Sequence, residues 1–392
     1  MKIARRLVAS LLIAAAPVIL FSAPRTPAKN STTSEYLAFI GTYTTKTASK
    51  GIYSFRFDAN TGELTHLSVA AETPDPSFLV ASQNKTHLYA VNELSTFNGK
   101  ASGAVTAYKL NRDTGKLTQL NQVASGGAGP CFISLDQTGK YGLVANYDGG
   151  SVGTFPIARD GAVKSAVSFI QHTGSGPNKE RQEAPHAHWI ATSPDNRFAL
   201  AVDLGLDQVL IYRFNAATGA LAPNDPPFAK LDPGAGPRHL AFHPNGNLAY
   251  VLNEIKSTIS VFAYNRETGS LSSLQTLSTL PKDFSGANDT AEVVVHPSGK
   301  FLYASNRGHN SIALFTIAPT NGTLTPTGDF STKGKTPRDF AIDPTGKFVV
   351  AANQESNNIV VFRIDQLTGA LTAINQPVDV PAPVDIVFIA AK

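Results

Sequence analysis

The chain has one cysteine, one methionine and one tryptophan in 392 residues. A lone Cys131 excludes an internal disulfide framework and a multi-cysteine zinc site. A single cysteine within an apolar strand is read as a small packed hydrophobe. Charge is also sparse, at 16% Asp, Glu, Lys and Arg, against about 25% in an average globular protein. No Lys/Arg run occurs beyond the N-terminus, and the net charge of +4 is small for this length. Both features argue against a nucleic-acid partner. Helical periodicity never persists beyond a turn or two. What the chain has instead is 31 glycines, 25 prolines and many Phe, Tyr, Val and Thr residues, the composition of turns and pleated strands.

The first 34 residues read as a leader and linker. Met1 to Arg6 is basic, and Leu7 to Phe21 is an apolar run of signal-peptide length, short for a bilayer span. A Pro- and Thr-rich stretch then leads to Ser34. A cut after Ala23 or Ala28, or an uncleaved anchor, are the alternatives. Export implies a periplasmic or secreted protein, with no stable membrane insertion once the signal is removed.

Beyond the linker, one pattern recurs: an apolar strand, a tight turn, a second apolar strand and a polar stop. Pro237 to Glu254 (PRHLAFHPNGNLAYVLNE) is its fullest form. Copies begin at Pro76, Pro130, Pro185, Pro237, Thr290, Pro337 and Pro383, between 46 and 55 residues apart. Between copies lies Thr-Gly-X-Leu or a relative, as in Thr61-Gly62-Glu63-Leu64 and Asn321-Gly322-Thr323-Leu324. It marks a turn joining a third strand to a fourth. Four strands per period of this length describe a β-propeller blade. The second-strand motif occurs seven times, from Phe39 to Asn353. The chain opens on a second strand (Tyr36 to Tyr43) and closes on a first (Pro383 to Phe388). The expectation is an all-β, seven-bladed propeller of four-stranded antiparallel blades over residues 35–392. Its N- and C-terminal strands share one blade and close the ring, which removes exposed sheet edges.

First strands line a propeller's channel, so the starts of these strands and the loops leaving second strands meet at one mouth. The strand starts supply Ser77, Cys131, His188, Arg238 and Arg338, followed by Phe78, Phe132, Trp189, His239, Glu292 and Asp339. The loops supply Glu93, Tyr147, Asp203, Glu254, Arg307 and Gln354. Each alone could be a polar cap on a strand end. Together, arginines with adjacent acid and imidazole suit an anionic, carboxylated ligand.

These residues carry a resemblance to the lactonase family of seven-bladed β-propellers, which includes bacterial 6-phosphogluconolactonases and fungal carboxymuconate-lactonizing enzymes. The matching segments include Gly41-Thr42-Tyr43, Gly176-Pro177-Asn178 with Arg181-Gln182, Pro185-His186-Ala187-His188, Gly236-Pro237-Arg238-His239 and Ser305-Asn306-Arg307-Gly308. The resemblance implies catalytic roles for His188, Arg238, Glu254 and Arg307. Glu93, His186, His239, Glu292 and Arg338 are the expected substrate-binding residues. In the implied reaction, Arg238 and Arg307 hold the substrate anion and the developing oxyanion. His188 or Glu254 takes a proton from the attacking water. No metal or other cofactor is implied. The expected partner is a small anionic lactone or sugar acid, and the protein is expected to be a monomer.

Three other readings stand beside this one. His186-Ala187-His188 could form a metal pair with Glu254 or Glu292. Gly149-Gly150-Ser151-Val152-Gly153 matches a nucleophile elbow, but a strand rather than a helix follows it. The polar segment Gln171 to Ala184 is either a solvated loop or a cover over the mouth. As function, a non-catalytic exported propeller and a lactonizing cycloisomerase are the alternatives.

Overall fold

The computed structural model describes residues 34–391. The expected signal segment lies outside the described residues. Among the described residues, twenty-eight strands form seven four-stranded antiparallel sheets, arranged as seven blades. Blade 1 takes its innermost strand from the C-terminus (Pro383–Ala390) and its next from the N-terminus (Glu35–Thr42). Their register runs from Tyr36 opposite Ala390 to Gly41 opposite Asp385. This is the expected ring closure. The innermost strands of blades 2 to 7 are Phe78–Ala81, Pro130–Leu135, Ala187–Thr192, Pro237–Phe242, Thr290–Val295 and Pro337–Ile342.

Second strands are buried throughout, as in Phe348–Asn353, because apolar residues on both faces pack against neighbouring blades. Outermost strands are largely exposed to solvent, as in Leu371–Asp379. The Thr-Gly turns do more than reverse the chain. Tyr250 of blade 5 donates its hydroxyl to the carbonyl of Gly322 in blade 6 (3.0 Å), and Tyr303 of blade 6 to that of Gly369 in blade 7 (2.7 Å). Gly322 has φ 75°, and a Cβ there would lie 2.2 Å from Leu248. Turn conformation and blade packing therefore require glycine at the same place.

One irregularity positions the site. The innermost strands begin with a register shift: Pro130/Phe132, Ala187/Trp189, Pro237/His239 and Pro337/Asp339 each skip one residue. The residues skipped are Cys131, His188, Arg238 and Arg338. A regular strand would send successive side chains to opposite faces. The bulge re-aims the extra one, so consecutive residues such as Arg238 and His239, or Arg338 and Asp339, line the same small cavity.

Candidate functional site

Phe78, which opens its innermost strand, and the third residues of the other six innermost strands form a floor across the channel. One half is aromatic: Phe78 and Phe132 have ring centroids 4.3 Å apart, and Phe132 and Trp189 lie 5.6 Å apart. The other half is His239, Glu292, Asp339 and Asp385. Asp385 accepts the backbone N–H of Leu79 at 2.8 Å. The His239 Nδ1 lies 2.7 Å from Glu292 Oε2, and its Nε2 lies 3.3 Å from Arg238 Nη1. Because a guanidinium only donates, neutral His239 accepts at Nε2 and donates from Nδ1. Burial drives this half toward its neutral forms. It pushes Glu292 up to about 7 and Asp339 and Asp385 well up, and it pushes His239 well down.

Above the floor stands Glu254, at the stop of the fullest repeat. Its carboxylate meets Arg238 Nε at 3.0 Å, Arg307 Nη2 at 2.9 Å and, in close contact, Arg181. Burial pushes Glu254 up, but Arg307, Arg238 and Arg181 together outweigh it and bring the carboxyl to about 2. Arg238 is lowered as well, to about 10, which disfavours its charged form, because burial and the cations Arg338 and Arg307 oppose it more than Glu254 helps. Arg238 also donates to the carbonyl of Ala291. With its side chain 4% exposed, it is turned away from the opening, whereas Arg307 (15%) and Arg181 (36%) face it.

A second pair closes the other side. Tyr43 donates to Glu93 (2.9 Å), and Arg338 donates to the Tyr43 oxygen at 2.8 Å. Burial raises Glu93, with Arg338 opposing. Between the pairs, a cavity of ≈10 Å³ is lined by Ser77, Cys131 and Arg238 among others, room for about one water. Ser77 is buried there.

His188 sits next to this cavity. Its Nδ1 is 3.7 Å from Cys131 Sγ, and its ring packs edge-on to His239 (5.1 Å) and Tyr147 (5.5 Å). Burial, Arg238 and His239 push it well below the ordinary imidazole range, so it is neutral at neutral pH. Burial likewise raises the Cys131 thiol well above its usual range.

The ring thus brings His188, Arg238, Glu254 and Arg307 together, with His239, Glu292, Glu93 and Arg338 around them. Several expectations change. Glu254, offered as an alternative proton acceptor, is held ionised by three guanidiniums and is a poor base. Arg238 is directed at Glu254 rather than at the opening. His186 stacks on Tyr147 (4.5 Å) instead of lining the opening. Both its ring nitrogens face acceptors, Tyr147 O at 3.1 Å and Glu183 Oε1 at 3.1 Å, so neither is free for a metal. Among the described residues, no three His, Cys, Asp or Glu side chains converge as metal ligands would. Asp203 is the last residue of its strand, not a mouth residue. It accepts from buried His172 (Nδ1 to Oδ2, 2.6 Å) and from the backbone N–H of His186 (2.8 Å).

Arg181 is the addition that repeat logic missed. It lies in the 171–184 segment, which folds over the mouth as a stitched turn. Gln182 donates to Leu204 O (2.8 Å) and Asp207 Oδ1 (2.7 Å), and accepts from Asn178 N (3.1 Å). From there Arg181 reaches Glu254 and comes within 3.8 Å of Asp289.

Comparison with known proteins agrees with this geometry. The family described as "Lactonase, 7-bladed beta-propeller" matches residues 37–388. A 6-phosphogluconolactonase of Bacillus subtilis is 39% identical over 306 residues, 78% of this chain and 84% of the relative. A crystal structure of a candidate 6-phosphogluconolactonase from Bacteroides fragilis has a TM-score of 0.84 at 40% identity, covering 93% of this chain and 100% of that one. The periplasmic gluconolactonase of Pseudomonas aeruginosa gives 0.86 at 35% identity, with 92% and 100% coverage.

Proposed function

The chain belongs to the lactonase family of seven-bladed β-propellers, and from that premise we propose that it is a hydrolase that opens a sugar lactone with water. The observation that carries the reading is a neutral, buried imidazole at His188 under the charge of Arg238, which is itself one of three arginines gathered by the Glu254 carboxylate.

A lactone is an activated ester, so a weak base suffices. His188 takes the proton of the attacking water. Arg307 and Arg181, the guanidiniums nearest the opening, stabilise the oxyanion of the tetrahedral intermediate. Glu254 holds both in place and supplies their counter-charge. The same surroundings that depress the imidazole make its imidazolium a strong acid, which returns the proton to the leaving alkoxide. Arg238 fixes Glu254 from below.

The proposed substrate is an unphosphorylated aldonolactone. The three guanidiniums around Glu254 already face two carboxylates, Glu254 and Asp289, and Arg338 faces Glu93. This leaves little unopposed positive charge for a phosphate dianion. The proposed location is the periplasm or exterior, supported by the basic–apolar start of the sequence and by the periplasmic relative. A pH-stat comparison of glucono-δ-lactone with 6-phosphogluconolactone tests the reading. The expected result is faster opening of the unphosphorylated compound. A rate no greater than spontaneous hydrolysis for every lactone tried would favour a non-catalytic propeller instead.

A further inference from the structure

Two clefts run outward from Arg307. The first, ≈350 Å³, is lined by Asp289, Arg307, Thr336 and Glu355. The second, ≈510 Å³, is lined by Lys46, Ala48, Glu355, Asp379 and Pro381, with Val380 and Ala382 buried beneath. Glu355 belongs to both, so the clefts adjoin. They make one trough that starts at Arg307, in contact with Glu254, and ends where blade 7 passes into blade 1.

The walls of this trough are unusually shaped backbone. Lys46 (φ 59°), Thr336 (φ 59°) and Ala382 (φ 43°) all adopt left-handed conformations, an outlier for a β-branched residue such as threonine. Two of them are pinned by asparagine side chains. The Thr336 N–H donates to Asn310 Oδ1 at 2.8 Å, and the Ala382 N–H to Asn357 Oδ1 at 2.9 Å. Strain held in place in this way concentrates at ligand sites.

The lining selects the guest. Hydroxyl, amide and carboxylate groups stand beside the apolar surface of Pro381 and Ala48, which matches the hydroxyl edge and C–H face of a pyranose. An apolar guest would leave the polar walls unpaired. A phosphate would meet Arg307 already flanked by Asp289 and Glu355. Resting on the lactonase reading, we propose that the trough is a second sugar subsite, and that the preferred substrate is an aldobionolactone, a lactone carrying a further sugar.

The test compares kcat/KM for cellobiono-δ-lactone and glucono-δ-lactone on the full-length protein. The expected ratio is about tenfold in favour of the disaccharide, the equivalent of one or two net hydrogen bonds. Ala48→Trp, at an exposed position lining the larger cleft, is expected to bring the ratio close to one. A wild-type ratio at or below one, or a ratio untouched by Ala48→Trp, overturns the proposal. Calorimetric titration with cellobionate and gluconate separates this proposal from the lactonase reading. If neither lactone opens, that reading fails, yet tighter binding of cellobionate still upholds the subsite and equal binding overturns it.

Discussion

The Nε of Arg238 stands 3.0 Å from Oε2 of Glu254, with the two side chains 4% and 5% exposed. A buried ion pair of this kind is weak evidence of net stabilisation, but removing one partner is costly, because the other charge stays buried and unpaired. Here three guanidiniums depend on one carboxylate. Glu254→Gln is therefore expected to destabilise the protein by about 3–5 kcal/mol, read as a lower midpoint in urea at neutral pH. The pH dependence has a defined sign. The folded Glu254 carboxyl is brought down to about 2, below the ordinary value of about 4.3. Its contribution is present above that ordinary value and is lost as pH falls through the folded one. The gap between wild type and Glu254→Gln should narrow in acid. A gap that stays constant from neutral to strongly acid pH would show that the charge is not what Glu254 contributes.

The activity profile should be unusually tolerant of acid. His188 must be neutral to accept a proton, and its folded pKa lies well below the ordinary imidazole value of 6.5. Activity is expected to persist as pH falls through 6.5 and to decline only well below it. A kcat/KM limb centred at the ordinary imidazole value would mean that another group accepts the proton.

The segment over the mouth is tied down at both ends by Asp203, through His172 and the backbone N–H of His186. Tyr212 meets the other His172 nitrogen at 2.9 Å. Asp203→Asn should loosen the turn that carries Arg181. Misplacing a group by about 1 Å can cost on the order of 10²-fold. The expected signature is a fall in kcat/KM together with faster hydrogen exchange of the Asn178 to Gln182 amides. Lost activity with unchanged exchange would remove the link to Arg181.

Cys131 touches His188 but should take no part in the chemistry. A buried thiol with a raised pKa is neither a nucleophile nor readily alkylated. Cys131→Ser is expected to keep kcat within about threefold of wild type, a change worth well under 1 kcal/mol of barrier. Loss of activity on that substitution, or on brief exposure to iodoacetamide, would assign the thiol a role.

The ring was legible in the sequence because blades repeat: the turn glycines and buried second strands recur at fixed intervals, and Tyr36 and Phe388 could be seen to belong to one sheet. The same repetition placed His188, Arg238, Glu254 and Arg307 at one mouth. Two things lay outside its reach. The strand-start bulges, which aim both Arg238 and His239 into the channel, depend on hydrogen-bond register rather than residue type. Arg181 stands in a segment with no counterpart in other blades, so its partner could not be inferred by offset. Asp203 shows the opposite error, since it falls one residue earlier than the loop position held by Glu254 and points into the blade.

The most direct test of the central claim is the enzyme-dependent rate of glucono-δ-lactone opening at neutral pH, corrected for spontaneous hydrolysis, in wild type and His188→Ala. General-base catalysis is worth on the order of 10²–10⁴-fold. The account expects a loss of that size. A His188→Ala protein that opens the lactone as fast as wild type would contradict it.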